Sequence, residues 1–219
     1  MKQTLWEQLI QQFSSRWEDL LASIGMHIEL VLISMLIAII VGVPLGILVS
    51  RVPSLKSWVI GGAGILQTIP SLALLGFMIP LFGIGINTAI AALFLYSLLP
   101  IIRNTYTGIK DVDAATIEAA RGMGMTDMQI LFKVQLPLAL SVIMAGIRTS
   151  TVINVGTATL AAFIGAGGLG DFIFLGISRN IDALILLGAV PAAILALILD
   201  FLLGVTEKWT TPRGLKNTK

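Results

Sequence analysis

Long apolar runs constrain this chain more than any other feature. Five of them, at about 24–49, 58–82, 86–102, 138–164 and 181–205, are each of roughly membrane-spanning length at ~20 residues per crossing. The chain is 56% hydrophobic and 12% charged, the latter about half the ~25% usual for soluble domains. An all-α integral membrane protein of about five transmembrane helices follows. Pro44 and Gly46 are expected to bend the end of the first span. Gly61, Gly62 and Gly64 allow close helix approach in the second, which Pro70 and Pro80 are expected to break into half-helices. The fourth is expected to end in the glycine-rich run 165–170, and Pro191 falls in the fifth.

Residues 1–23 differ in kind. Leu5, Trp6, Leu9, Ile10, Phe13, Trp17, Leu20 and Leu21 recur at helical spacing between polar residues, the pattern of an amphipathic helix lying in the membrane interface. A secretory signal is not expected there, because the segment carries acidic as well as basic residues and no short apolar core. The transmembrane domain is then 24–205, with a cytoplasmic loop at about 104–137 and a tail at 206–219.

Positive charge sets the orientation. With five crossings, Arg51, Lys56, Arg103, Lys110, Arg121, Lys133, Lys208, Arg213, Lys216 and Lys219 fall on one side, against Lys2, Arg16 and Arg179 on the other. That bias, roughly three to one, places the N-terminus outside and the C-terminus in the cytoplasm of a cell membrane. Trp58 and Trp209 then fall at the inner interface, Trp6 and Trp17 at the outer. A net charge of +2 gives no argument for nucleic acid.

Chemistry of the chain's own is hard to find. There is no Walker pattern, no Ser-His-Asp set and no H-E-x-x-H. The sequence has no cysteine and a single histidine, so no thiolate metal site or disulfide is available and no metal site is expected. His27 and Glu29 open the first span and are expected at the interface. If ATP drives this protein, a partner must bind the nucleotide and its Mg²⁺.

One charged island, 118–137 (EAARGMGMTDMQILFKVQLP), interrupts the apolar interior of the sequence. Asp113 is placed to N-cap a first helix that Gly122 and Gly124 end. Thr126 and Gln129 form a capping-box pattern for a second helix, which Pro137 is expected to close. Glu118 could accept a charge-assisted bond of ~1.5–3 kcal/mol from a partner's arginine. Ala119 and Ala120 keep that face narrow, and Met123, Met125 and Met128 offer adaptable apolar contact.

Polar groups inside the spans are few. Arg148 and Asp200 are expected to pair across the fourth and fifth, the alternative being that each snorkels to the inner interface. Thr149, Ser150, Thr151, Asn154, Thr157 and Thr159 either line a translocation pathway or make helix-to-helix bonds and back-bonds. Gln67, Thr68 and Ser71 around Pro70 could form the facing wall, since broken helices are tolerated beside cavities.

The island resembles the cytoplasmic loop of ABC-importer permeases, whose pattern is Glu-Ala-Ala, three residues, Gly, nine residues, Ile, one residue, Leu-Pro. Glu118, Ala119, Ala120, Gly124, Leu136 and Pro137 match it, and Val134 stands at the isoleucine position. Segments 66–80 (LQTIPSLALLGFMIP), 99–108 (LPIIRNTYTG), 145–149 (AGIRT) and 163–171 (FIGAGGLGD) resemble permease subunits of osmoprotectant importers. The resemblance implies a type I importer fold of the MetI-like kind, with the island as ATPase-coupling helices. It also implies two cytoplasmic ATPase subunits, a second permease subunit, identical or paralogous, and an extracytoplasmic solute-binding protein. No binding-protein domain follows the last span, so that component is expected as a separate chain. The solutes implied are glycine betaine, carnitine, choline or proline betaine. The alternatives are a methionine-type amino-acid importer, which shares fold and loop, and a passive channel or scaffold.

Overall fold

A computed structural model describes residues 4–210, without the side chains of Trp209 and Thr210. Lys2, Arg213, Lys216, Lys219, the tail beyond 210 and the side chain of Trp209 lie outside the described residues. Nine α-helices, joined in places by short 3-10 or π turns, make up most of the described residues. They are α1 (Leu5–Arg51), α2 (Lys56–Thr68), α3 (Ser71–Phe82), α4 (Ile86–Lys110), α5 (Ala114–Gly122), α6 (Asp127–Ile130), α7 (Leu136–Ala158), α8 (Gly170–Arg179) and α9 (Asp182–Thr210). Among the described residues, four helices or helical runs are long and apolar enough to cross a membrane, and the bent α2–α3 pair supplies a fifth.

The N-terminal segment is not a separate helix ending at residue 23. It runs into the first span within α1, whose unbroken part, 17–51, is about 52 Å at 1.5 Å per residue and well over a ~30 Å hydrocarbon core. The break comes earlier, where Arg16 leaves helical geometry (φ −134°, ψ 19°). Before that break Leu9 packs near Leu187 of α9, and after it Leu20 joins Leu169, Phe172 and Leu184 in a small core. Trp6, Ile10, Phe13 and Trp17 face outward and are exposed.

The second span divides as Pro70 predicts, and α2 and α3 meet at 106°. Pro80 does not divide it further and sits inside α3. At the break the orphan carbonyl of Ile69 accepts from the Tyr96 hydroxyl, and Gln67 Nε2 donates to the Tyr96 carbonyl at 2.9 Å. A helix interrupted in lipid needs such replacement partners.

The core is the contact of α1, α4 and α7, with α9 packed on α7 and α8. Leu30, Val31, Ala38, Leu93, Ile101, Ile143 and Val155 are buried there. Close approach depends on small residues: a Cβ on Gly146 would lie 2.5 Å from Asn104 Cβ and 2.8 Å from the Pro100 carbonyl oxygen. On the outside, Leu36, Ile40, Leu197 and Phe201 are 59%, 62%, 70% and 69% exposed, an apolar surface suited to lipid or to another apolar helix.

His27 is buried inside the bundle. It is fully buried, and its Nε2–H donates to the Val155 carbonyl at 3.1 Å, pinning α1 to the end of α7. Glu29, two residues on, is exposed.

Candidate functional site

The charged island folds as a capped hairpin. The Asp113 side chain accepts from the Thr116 amide at 3.3 Å and starts α5. At its end the Met125 amide donates to the Ala120 carbonyl and the Gly124 amide to that of Arg121, the paired bonds of a Schellman turn. Gly124 adopts φ +81°, which L side chains avoid. Thr126 and Gln129 cap α6 reciprocally, at 2.9 and 3.4 Å. An exposed Arg121–Asp127 pair at 3.3 Å ties the two helices together.

Pro137 does not close the second helix. The helical path continues from Asp127 to Ile164, passing through a π turn at Leu131–Gln135 before α7. The reason is local: Pro137 has no N–H for the Lys133 carbonyl, and its ring crowds that carbonyl. The wider turn, in which the Leu136 amide donates to the Leu131 carbonyl, absorbs the mismatch. Hence α6 runs on into α7 and is not a detached plug.

Glu118 and Ala119 are exposed on α5, and Met123 and Met128 are exposed at 75% and 63%. Ala120 is buried under the turn, whereas Val134, Leu136 and Pro137 are half-buried where the hairpin joins the bundle. The six matching positions and Val134 therefore divide into an outward face and a buried base.

Within the bundle, Asn154 is fully buried in the single chain, and it does not face open space. Its Nδ2 donates to Ser97 Oγ at 2.6 Å and to Ser34 Oγ at 3.1 Å, linking α7 to α4 and α1. Ser150 Oγ donates to the Ser97 carbonyl at 2.8 Å. Within the single chain, then, Asn154 and Ser150 bond from helix to helix. Thr151 and Thr157 back-bond to Ile147 and Ile153, and Thr159 to Gly156. Thr68, exposed, back-bonds to Ile65; Ser71 is half-buried at the start of α3.

The structure brings Arg148 and Asp200 together in a bidentate pair, Nε to Oδ1 and Nη2 to Oδ2, both 2.9 Å. Glu207, which sequence reasoning missed, accepts from Arg148 Nη1 at 2.9 Å. Its signal was the seven-residue spacing from Asp200, two turns along one face of α9. The cluster borders an open groove of about 720 Å³ lined by Ala145, Thr149, Val152, Ala193 and Leu197. Sequence reasoning also missed Arg51, Gln135, Ser34 and Ser97 as polar partners. Among the described residues no cluster of His, Cys, Asp or Glu could hold a metal ion.

Four to five crossings, a second one broken at a proline, and a capped hairpin between the third and fourth define a type I ABC-importer permease fold. Solved structures agree. An inward-facing methionine ABC transporter, MetNI, superposes with TM-score 0.78 at 26% identity, over 88% of this chain and 96% of that one. An amino acid ABC transporter solved with histidines shares the fold, with TM-score 0.78 at 17% identity over 95% and 99%. The chain belongs to the family described as binding-protein-dependent transport system inner membrane components, matched over residues 38–213. Among its relatives, the glycine betaine/carnitine/choline transport system permease protein OpuCB of Bacillus subtilis is 49% identical over 97% of this chain and 98% of its own. The choline transport system permease protein OpuBB of the same organism is 47% identical over 96% and 97%. The osmoprotectant import permease protein OsmW of Salmonella typhimurium is 47% identical over 87% and 91%.

Proposed function

We propose that this chain is the transmembrane subunit of an ATP-driven importer for quaternary-ammonium osmoprotectants such as glycine betaine, carnitine or choline. Its N-terminus lies outside and its C-terminus in the cytoplasm. Two ATPase subunits bind ATP and Mg²⁺ and carry out the hydrolysis, and an extracytoplasmic binding protein delivers solute. A second permease subunit completes the pathway, because one chain of this size encloses none. The observation that carries the coupling role is the hairpin, whose exposed α5 face leads through α6 directly into α7. Closure of the ATPases would push α5, and α6–α7 would carry the displacement into the bundle as alternating access.

The solute class rests on relatives at 47–49% identity over nearly the whole chain. The amino-acid alternative rests on fold likeness at 26% identity or below. Selectivity lies mainly in the binding protein, where aromatic side chains suit a quaternary ammonium; aromatics make up only 7% of this chain. The test is uptake of labelled glycine betaine, choline and methionine by proteoliposomes holding this chain with its ATPase and binding protein. ATP-dependent uptake of the first two alone is expected. Methionine uptake instead, or uptake without the ATPase, refutes the reading. Glu118→Arg should lower ATPase co-purification about tenfold or more, the loss of one charge-assisted contact.

A further inference from the structure

Three helix ends meet at one buried amide. Gln135, the last residue of the π turn, is 7% exposed. Its Oε1 accepts from Arg51 Nη2 at 2.7 Å, and Arg51 is the final residue of α1. Its Nε2 donates to the Ile109 carbonyl at 3.4 Å, in the last turn of α4, where carbonyls have no partner within the helix. Arg51 Nη2 also reaches the Asp127 carbonyl at 3.4 Å, at the start of α6. Buried amides are costly unless both ends are bonded, and this one has a partner at each.

A second polar node, Asn154 with Ser34 and Ser97, links the same three helices deeper in the bundle. The two nodes are 19 residues apart along α7, about 28 Å. One node alone would let α7 pivot against α1 and α4. Two at that separation fix its direction. Between them, apart from the Ser150–Ser97 bond one turn from Asn154, the contacts are apolar packing, which resists separation more than sliding.

We propose that Gln135 is a positioning residue for energy coupling: with Arg51 it clamps the base of the hairpin so that α1 and α4 move with α6–α7 as one body. This rests on the reading of the hairpin as the ATPase contact. Without the clamp, a push on the hairpin tilts α7 about the Asn154 node, and part of the ATPase stroke is lost before it reaches α1 and α4.

The chain has no cysteine, so spin labels can be placed on the purified chain at Ser54→Cys, just beyond α1, and Ala115→Cys on α5, before it is assembled with its partners. In the complete transporter, the distance between them should be the same without nucleotide and with ATP trapped. In Gln135→Leu that distance should shift or broaden with nucleotide, and ATP hydrolysed per solute imported should rise about threefold to tenfold. Arg51→Met should behave alike. Gln135→Glu keeps the acceptor for Arg51 but not the donor to Ile109 and should fall between. Thermal stability reports the structural share of the role and should fall by about 2–5 °C in Gln135→Leu, the loss of two interhelical bonds, whereas the ATP-to-solute ratio and the label distance report coupling. If Gln135→Leu fails to assemble, the other two variants carry the test. A label distance that changes with nucleotide in the parent chain, or a parental ATP-to-solute ratio in the variants, overturns the clamp. A parent chain that imports no osmoprotectant fails the functional reading instead, and the label distances still decide the clamp.

Discussion

Replacing Asn154 with leucine separates a structural polar node from a pathway residue. The side chain makes two good bonds, 2.6 Å to Ser97 Oγ and 3.1 Å to Ser34 Oγ. Interhelical hydrogen bonds in membranes average ~0.6 kcal/mol and reach ~1.7. Two of them give about 1.2 kcal/mol, with an upper bound near 3. No orphan donor is left behind: Ser34 still donates to the Leu30 carbonyl at 2.7 Å and Ser97 to that of Leu93 at 2.8 Å. Leucine has the same branching but bulkier ends, so at this fully buried position overpacking adds about 1 kcal/mol to the loss. At ~2–4 °C per kcal/mol for a chain of this size, the midpoint should fall by about 4–9 °C. Tryptophan fluorescence can follow it, whereas a thiol-reactive dye cannot, since the chain lacks cysteine. Uptake should persist below the new midpoint. An unchanged midpoint with uptake abolished would refute the reasoning and return Asn154 to the pathway. A fall much beyond 10 °C would mean that the network exceeds the sum of its pairs.

Two further perturbations test other parts of the structure. Gly124→Val forces a β-branched residue to φ +81° at a cost of ~1–3 kcal/mol, so ATPase co-purification and uptake should both fall. Gly124→Asn, whose side chain tolerates that region, should lose much less. Arg148→Leu leaves Asp200 and Glu207 without their shared cation and should lower the unfolding midpoint more than Arg148→Leu with Asp200→Leu. With Arg148 and Asp200 33% and 37% exposed, a single pair contributes only about 1 kcal/mol, and the charge-swapped double variant should recover part of it. Equal midpoints across that set would mean that the cluster adds nothing to stability.

Much of this protein was legible in one dimension because the bilayer imposes its own ruler. A run of apolar residues long enough to cross must be helical, whatever packs beside it, so the spans, the break at Pro70 and the capped hairpin followed from local chemistry. Asp113, Thr126 and Gly124 act within three residues of themselves, and the structure keeps each of them in the role its type suggests. The Glu118–Pro137 pattern likewise pointed to the family without any tertiary information.

What only the folded chain decided involves partners far apart in sequence. Nothing local marked His27 for burial, and its bond to Val155, 128 residues away, exists only in the folded bundle. Pro137 looked like a stop, but the π turn carried the helix past it because the apolar surface of 138–158 had a bundle to bury against. Gln135 and Arg51 carry no local signal, since an amide and a guanidinium are ordinary surface residues until three helix ends converge on them. Hydropathy and capping act over a turn or two of chain, whereas the bonds that unite α1, α4 and α7 exist only once tertiary packing has brought those helices together.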